Sequence, residues 1–242
     1  MSNMKELEDF IALQLLKQKA IKLQAKNPFE WNTGWLAPIY FDSRKILSYN
    51  KVRNIIKVEL SRLIVEKYPA VEAIAAVAPN AIAMGMLVAE TLDMPFVYVN
   101  TQPKSHGFEN RIEGDLKIGQ KVVIVTDQLS LGTNSLSVQE ALLESGADVI
   151  GLVSILDYEL HEGTIAFREA DIEYYSLTSY SSVIEKAFEM GRINGAEAEI
   201  IHAWHNHPDS WMPKPEKPAR KPAKKAKTAA KPAKKSVQPK KK

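Results

Sequence analysis

Asp127 stands two residues beyond Val125, the last of four branched apolar residues that begin at Val122, and Ser130, Gly132, Thr133, Asn134 and Ser135 follow it closely. An apolar run of this kind reads as a strand buried on both faces. Small hydroxyl, amide and glycine residues between such a strand and a helix leave backbone N–H groups free to meet an anion. Together with the helix N-terminus they make a cradle suited to phosphate. An acid at the strand's C-terminal edge lies where open α/β sheets bind ligands. The chemistry this points to is the holding of a phosphorylated sugar or nucleotide.

The elements that must position these residues alternate along the chain. Leu7, Phe10, Ile11 and Leu15 predict an opening helix over 5–24, followed by an aromatic-rich loop with a short strand. Val52, Ile55, Ile56, Leu60, Leu63 and Ile64 mark a second helix. Strands are expected at 73–77, 96–99, 122–126, 148–156 and 172–175, and helices at 81–92, 134–144, 181–190 and 195–205. A polar loop fills 100–114. Short apolar strands alternating with helices specify an α/β fold with a central parallel sheet flanked by helices.

Other chemistries fit less well. The chain has no cysteine, which removes disulfides, thiolate metal sites and cysteine nucleophiles. His202, His205 and His207 lack the spacing and nearby carboxylate of a hydrolytic zinc site and read as structural. The serines have no partners in triad order. Trp31, Trp35, Trp204 and Trp211 read as packing residues. No apolar run approaches a membrane span, and the opening MSNMKELEDF is too polar for a signal peptide, so a cytoplasmic location is expected.

Charge is distributed unevenly. Residues 213–242 carry 13 of the 32 basic residues and one of the 29 acidic ones, a net +12. The other 19 basic and 28 acidic residues leave residues 1–212 at −9. The Lys/Ala/Pro-rich segment has no apolar face and is expected to be disordered. It reads either as a solubilising appendage or as a segment whose lysines make nonspecific contact with nucleic acid through counterion release, with other acidic partners or an anionic membrane as further readings. A globular domain over 1–212 and a basic tail over 213–242 are therefore expected.

Several separate stretches, KAIKLQAKNPFEWNTGW, DSRKILSY, LDMPFVYV, PKSHGFENRIEG and KVVIVTDQLSLGTNS, occur in an order and spacing that resembles the orotate phosphoribosyltransferases of Bacteroidetes-type bacteria. The likeness covers about residues 4–211. It implies the type I phosphoribosyltransferase fold with a small N-terminal hood, a homodimer, and magnesium bound mainly through the substrate phosphoribosyl pyrophosphate. The implied reaction transfers ribose 5-phosphate to orotate, making orotidine 5′-phosphate for pyrimidine synthesis. Asp127 would hold the ribose hydroxyls or stabilise the cationic sugar. Thr126, Ser130, Gly132, Thr133, Asn134 and Ser135 would surround the ribose and its 5′-phosphate. Ala78, Asn80 and Ala81 would form the diphosphate loop. Lys104 and His106 would close over the diphosphate from the neighbouring subunit. Tyr40 and Phe41 would stack beside the pyrimidine.

The sequence also departs from that family's pattern. Leu36 and Asn100 replace a lysine and an arginine on the phosphate side, and Thr126 replaces the first of two adjacent acids. Leu131 replaces a threonine, Thr133 a glycine, and Ala78-Pro79-Asn80-Ala81 stands for Ala-Thr-Gly-Ala. Each lost charge-assisted hydrogen bond is worth about 1.5–3 kcal/mol. An alternative expectation follows: a catalytically weakened relative that binds a nucleotide or phosphate and docks on nucleic acid through its tail.

Overall fold

The computed structural model describes residues 2–31, 33–102 and 111–211. Lys104, His106 and the basic tail lie outside the described residues.

Helix α1 (Ser2–Lys17) buries Ile11, Ala12, Leu15 and Leu16. It ends seven residues before the 24 expected, because Lys19 adopts a left-handed φ of 54°. Ala20 N–H then bonds Leu15 O and Lys19 N–H bonds Leu16 O, both at 3.0 Å, which satisfies the terminal carbonyls. Ile21–Leu23 is thereby released as β1, which pairs antiparallel with β4 (Ile39–Phe41). Between them β2 (Phe29–Glu30) pairs with β3 (Leu36–Ala37), so the N-terminal hood consists of two short antiparallel ribbons. A 3₁₀ turn over Ser43–Ser48 leads into α2 (Asn50–Lys67).

The body is a six-stranded sheet. Its strands are β5 (Ala73–Val77), β6 (Phe96–Val99), β7 (Ile112–Glu113), β8 (Lys121–Leu129), β9 (Asp148–Asp157) and β10 (Tyr174–Ser179). They run in the order β10-β9-β8-β5-β6-β7, all parallel except β7, which is antiparallel to β6. Helices α3 (Ile82–Leu92), α4 (Thr133–Glu144) and α5 (His161–Glu169) connect strands. Helices α6 (Tyr180–Glu189) and α7 (Gly195–Asn206) close the body.

Both faces of the sheet are covered. Val123 and Val125 of β8 pack with α1, α2 and α6, whereas Val122 and Ile124 pack with Val138 and Leu142 of α4 and Phe167 of α5. That alternation follows from the two-residue period of a strand. Chain order reverses at β5, which is flanked by β6 on one side and β8 on the other. The crevice at the C-terminal ends of β5 and β8 is thus a topological switch point, where open α/β sheets place ligands.

Other details differ from the sequence reading, among them β7, which lies within the expected loop 100–114. Helix α5 is additional, β8 runs on to Leu129 rather than stopping at 126, and β10 lies at 174–179 rather than 172–175. No described helix is long and apolar enough to cross a membrane.

Candidate active site

A cleft of about 570 Å³ opens at that switch point. One wall is the end of β5 and the turn after it, Val77 to Asn80. The floor is Thr126, Asp127 and Gln128 of β8. Ser130 to Ser135 form the far wall, and Thr33, Tyr40, Arg44 and Thr101 form the rim.

Asp127 is 8% exposed and accepts a 2.6 Å hydrogen bond from Ser43 Oγ, which is 84 residues away in sequence. Burial pushes its carboxyl above the usual carboxylate range. Donors on Ser43, the Asp127 and Gln128 backbone and the Asn80 side chain act in the opposite direction by favouring the anion. The nearby cation, Arg44, is held to Asp42 at 3.1 Å with its side chain largely exposed. A buried carboxylate supplied with neutral donors and, among the described residues, no direct counter-ion suits hydroxyl groups or developing positive charge on a ligand. Thr126 follows the parity of Val122 and Ile124 and so leaves the strand on the α4 side, opposite Asp127.

The Ser130–Ser135 wall is a turn from strand to helix. Gly132 is the N-cap of α4 with φ 81°, a conformation that glycine adopts without Cβ strain, and no side chain caps the helix. The first backbone N–H groups of α4 thus lack intrahelical partners at the cleft. They and the helix dipole give this end of the cleft the chemistry that suits an anion. Leu131 contributes to the wall while packing on the main core, which leaves its peptide rather than its side chain to face the cleft.

The structure brings together Asp127, Thr126, Ser130, Gly132, Thr133, Asn134, Ser135, Tyr40, Ala78 and Asn80. Two expected residues stand elsewhere. Phe41 is 4% exposed and packs in the core, because alternation along β4 sends Tyr40 to the cleft and Phe41 inward. Ala81 is 1% exposed as the N-cap of α3, with its N–H on Val77 O. Lys104 and His106 are outside the described residues.

The departures are also placed. Leu36 is buried in β3 opposite Glu30, within the hood. Asn100 is bound to Arg111: its N–H donates to Arg111 O at 2.8 Å, and Arg111 Nε donates to Asn100 O at 3.1 Å. The Ala78–Pro79 peptide is cis.

Ser43, Arg44, Thr33, Thr101 and Gln128 escaped the sequence reading as site residues. DSRK carried the one local signal, a polar cluster directly after the apolar PIYF. His202 and His205 are structural in geometry. His205 stacks on Tyr180 at 4.1 Å with Nε2 2.9 Å from Tyr158 O, and His202 Nδ1 faces the Tyr180 hydroxyl. Trp31 meets Tyr158 and Trp204 edge-on. Among the described residues no group of three side chains could hold a metal, and Asp127 is the single carboxylate on the cleft wall. That donor set suits a metal whose other ligands are substrate oxygens and water.

No family model matches the chain. Orotate phosphoribosyltransferase of Phocaeicola vulgatus is 47% identical over 208 residues, covering 86% of this chain and 98% of the relative. The Porphyromonas gingivalis protein of the same name is 46% identical over 208 residues, covering 86% and 99%. Among solved structures, orotate phosphoribosyltransferase from Aeropyrum pernix superposes with a TM-score of 0.62 at 22% identity, over 73% of this chain and 98% of that one, a likeness of fold. Near-full-length relatives at such identity place a chain in their family, and this chain belongs to the orotate phosphoribosyltransferases.

Proposed function

We propose that this protein transfers ribose 5-phosphate from phosphoribosyl pyrophosphate to orotate in pyrimidine nucleotide biosynthesis. The observation that carries the reading is the union of a buried Asp127 with the open N-terminus of α4 in one cleft. In the reaction the bond from the anomeric carbon to the diphosphate oxygen breaks and a bond to orotate nitrogen forms. Pyrophosphate leaves with the electron pair, and the sugar passes through an oxocarbenium-like state.

Each wall has a task in that scheme. The turn over Ser130–Ser135 binds the 5′-phosphate through backbone N–H groups and fixes the sugar. Asp127, oriented by Ser43, holds the ribose hydroxyls and offsets positive charge on the ring. Ala78 and Asn80 border the diphosphate, with Arg44 as the described cation on the rim. Tyr40, backed by Phe29 at 5.5 Å, offers a ring face to the base. Lys104 and His106 supply charge to the diphosphate from the neighbouring subunit of a homodimer. Bound magnesium would be held mainly by the diphosphate and would offset the leaving group's charge.

The relatives do not favour the weakened-paralogue alternative, since those at 46–47% identity carry the enzyme's name. The losses at Leu36 and Asn100 fall on a buried hood strand and on an Arg111-bound backbone. Residues 1–212 are the catalytic unit, placed in the cytoplasm, and 213–242 are a basic extension for nonspecific contact with nucleic acid. Loss of orotate absorbance with phosphoribosyl pyrophosphate and magnesium tests the transferase. For the tail, full-length protein should bind duplex DNA with an affinity that falls steeply with salt, and a 1–212 truncation should lose that binding. Equal affinity for both chains contradicts the tail assignment.

A further inference from the structure

The turn that meets the phosphate has no side-chain cap of its own, and α5 supports it from below. An ideal Cβ on Gly163 would lie 1.8 Å from Ser130 O and 3.0 Å from Ser130 C, so no side chain fits there. One helical turn on, along the same face, Phe167 is 1% exposed. A Cβ on Gly132 would meet its ring at 3.3 Å. Phe167 is itself backed by Tyr174, with ring centroids 4.8 Å apart. Tyr158 N–H fixes the strand end just before the turn by donating to Leu129 O at 2.9 Å.

Glycine is the poorest helix former except proline, so α5 carries Gly163 against its own interest. The close approach to Ser130 is what that glycine permits. We infer that Gly163 is a positioning residue for the 5′-phosphate: its missing side chain sets the depth at which the Ser130–Leu131 peptide sits, and so the direction of the loop N–H groups. The inference rests on reading 130–135 as the phosphate site.

Gly163→Ala tests it, with ribose 5-phosphate and inorganic pyrophosphate as separate probes. The variant should raise the KM for phosphoribosyl pyrophosphate and the Kd for ribose 5-phosphate by about 10- to 100-fold, the size of one charge-assisted hydrogen bond. Pyrophosphate inhibition and the KM for orotate should stay unchanged. A role confined to the helix predicts the opposite, a higher Tm with ordinary kinetics, and that result overturns the inference. Equal weakening of both probes also overturns it. If Gly163→Ala does not fold, Phe167→Leu should produce the same split between probes, and wild-type affinity for ribose 5-phosphate in that variant is the refuting result.

Thr133→Pro isolates the underlying reading, since it deletes one loop N–H at the first helical position of α4. Unchanged ribose 5-phosphate binding in Thr133→Pro refutes the phosphate site and the inference with it. Weakening in Thr133→Pro but not in Gly163→Ala refutes the Gly163 inference alone.

Discussion

Asp157→Asn should stabilise the protein at neutral and alkaline pH and leave it unchanged in acid. Asp157 ends β9 directly beside Leu129 of β8, at the margin of the phosphate turn. Burial pushes its carboxyl from 3.8 up to about 6. The neighbouring Glu159 charge adds to the rise, while the Glu159 N–H, which donates to Asp157 Oδ1 at 2.8 Å, and the His205 charge oppose it. A raised value means that the native state binds the proton more tightly than the unfolded chain does. Stability from this group is therefore present below pH 3.8 and lost as pH rises through about 6. The difference between those values corresponds to about 3 kcal/mol on the ionised form. Asparagine keeps the Oδ1 acceptor for the Glu159 N–H and cannot ionise, so it avoids that cost. At pH 8 the variant should gain about 3 kcal/mol, or roughly 6–12 °C in Tm for a domain of this size. Urea unfolding of both proteins at a series of pH values from acid to pH 8 measures the gap. A variant less stable than wild type at every pH would show instead that the fold is stabilised by Asp157 as an anion.

Ser43→Ala should lower kcat/KM by about 10- to 100-fold, the worth of a hydrogen bond to a charged group. The acid limb of its pH profile should move to higher pH, since Ser43 favours the Asp127 anion; an unmoved limb contradicts the pairing. Gly151→Ala should destabilise by about 1–3 kcal/mol through overpacking, because its Cβ would lie 2.0 Å from the Tyr68 ring. Adding Tyr68→Val should relieve part of that loss in denaturant melts, and strict additivity of the two changes speaks against the contact.

Much of the sheet was legible because its strands are buried on both faces and so appear as unbroken apolar runs. AIAAV and KVVIV are of this kind, with every residue of Ala73–Val77 buried. Helix α5 was not legible, because it spans nine residues and buries only Gly163 and Phe167, an apolar face too short to set a helical period. Strand β10 was displaced in the reading because hydroxyls interrupt its apolar pattern. Thr178 is nonetheless buried, with its Oγ1 donating to Glu8 O at 2.9 Å. At the site, Asp127 and the phosphate turn could be read together because they lie in one short segment. Ser43 could not be tied to Asp127, since only the folded hood brings it across 84 residues. Choosing between Tyr40 and Phe41 needs the direction of the alternation, and a period of two supplies the alternation without its sign.

On the proposed function, this cleft transfers a phosphoribosyl group to orotate despite its unusual Thr126, Leu131 and Pro79. Purified full-length protein with orotate, phosphoribosyl pyrophosphate and magnesium should consume orotate at a turnover on the order of 1–10³ per second, the ordinary enzyme range. Asp127→Asn should abolish most of that rate while the protein stays folded. Full-length protein that is stabilised thermally by phosphoribosyl pyrophosphate yet leaves orotate absorbance unchanged would show a cleft that binds this ligand without transferring its sugar to orotate.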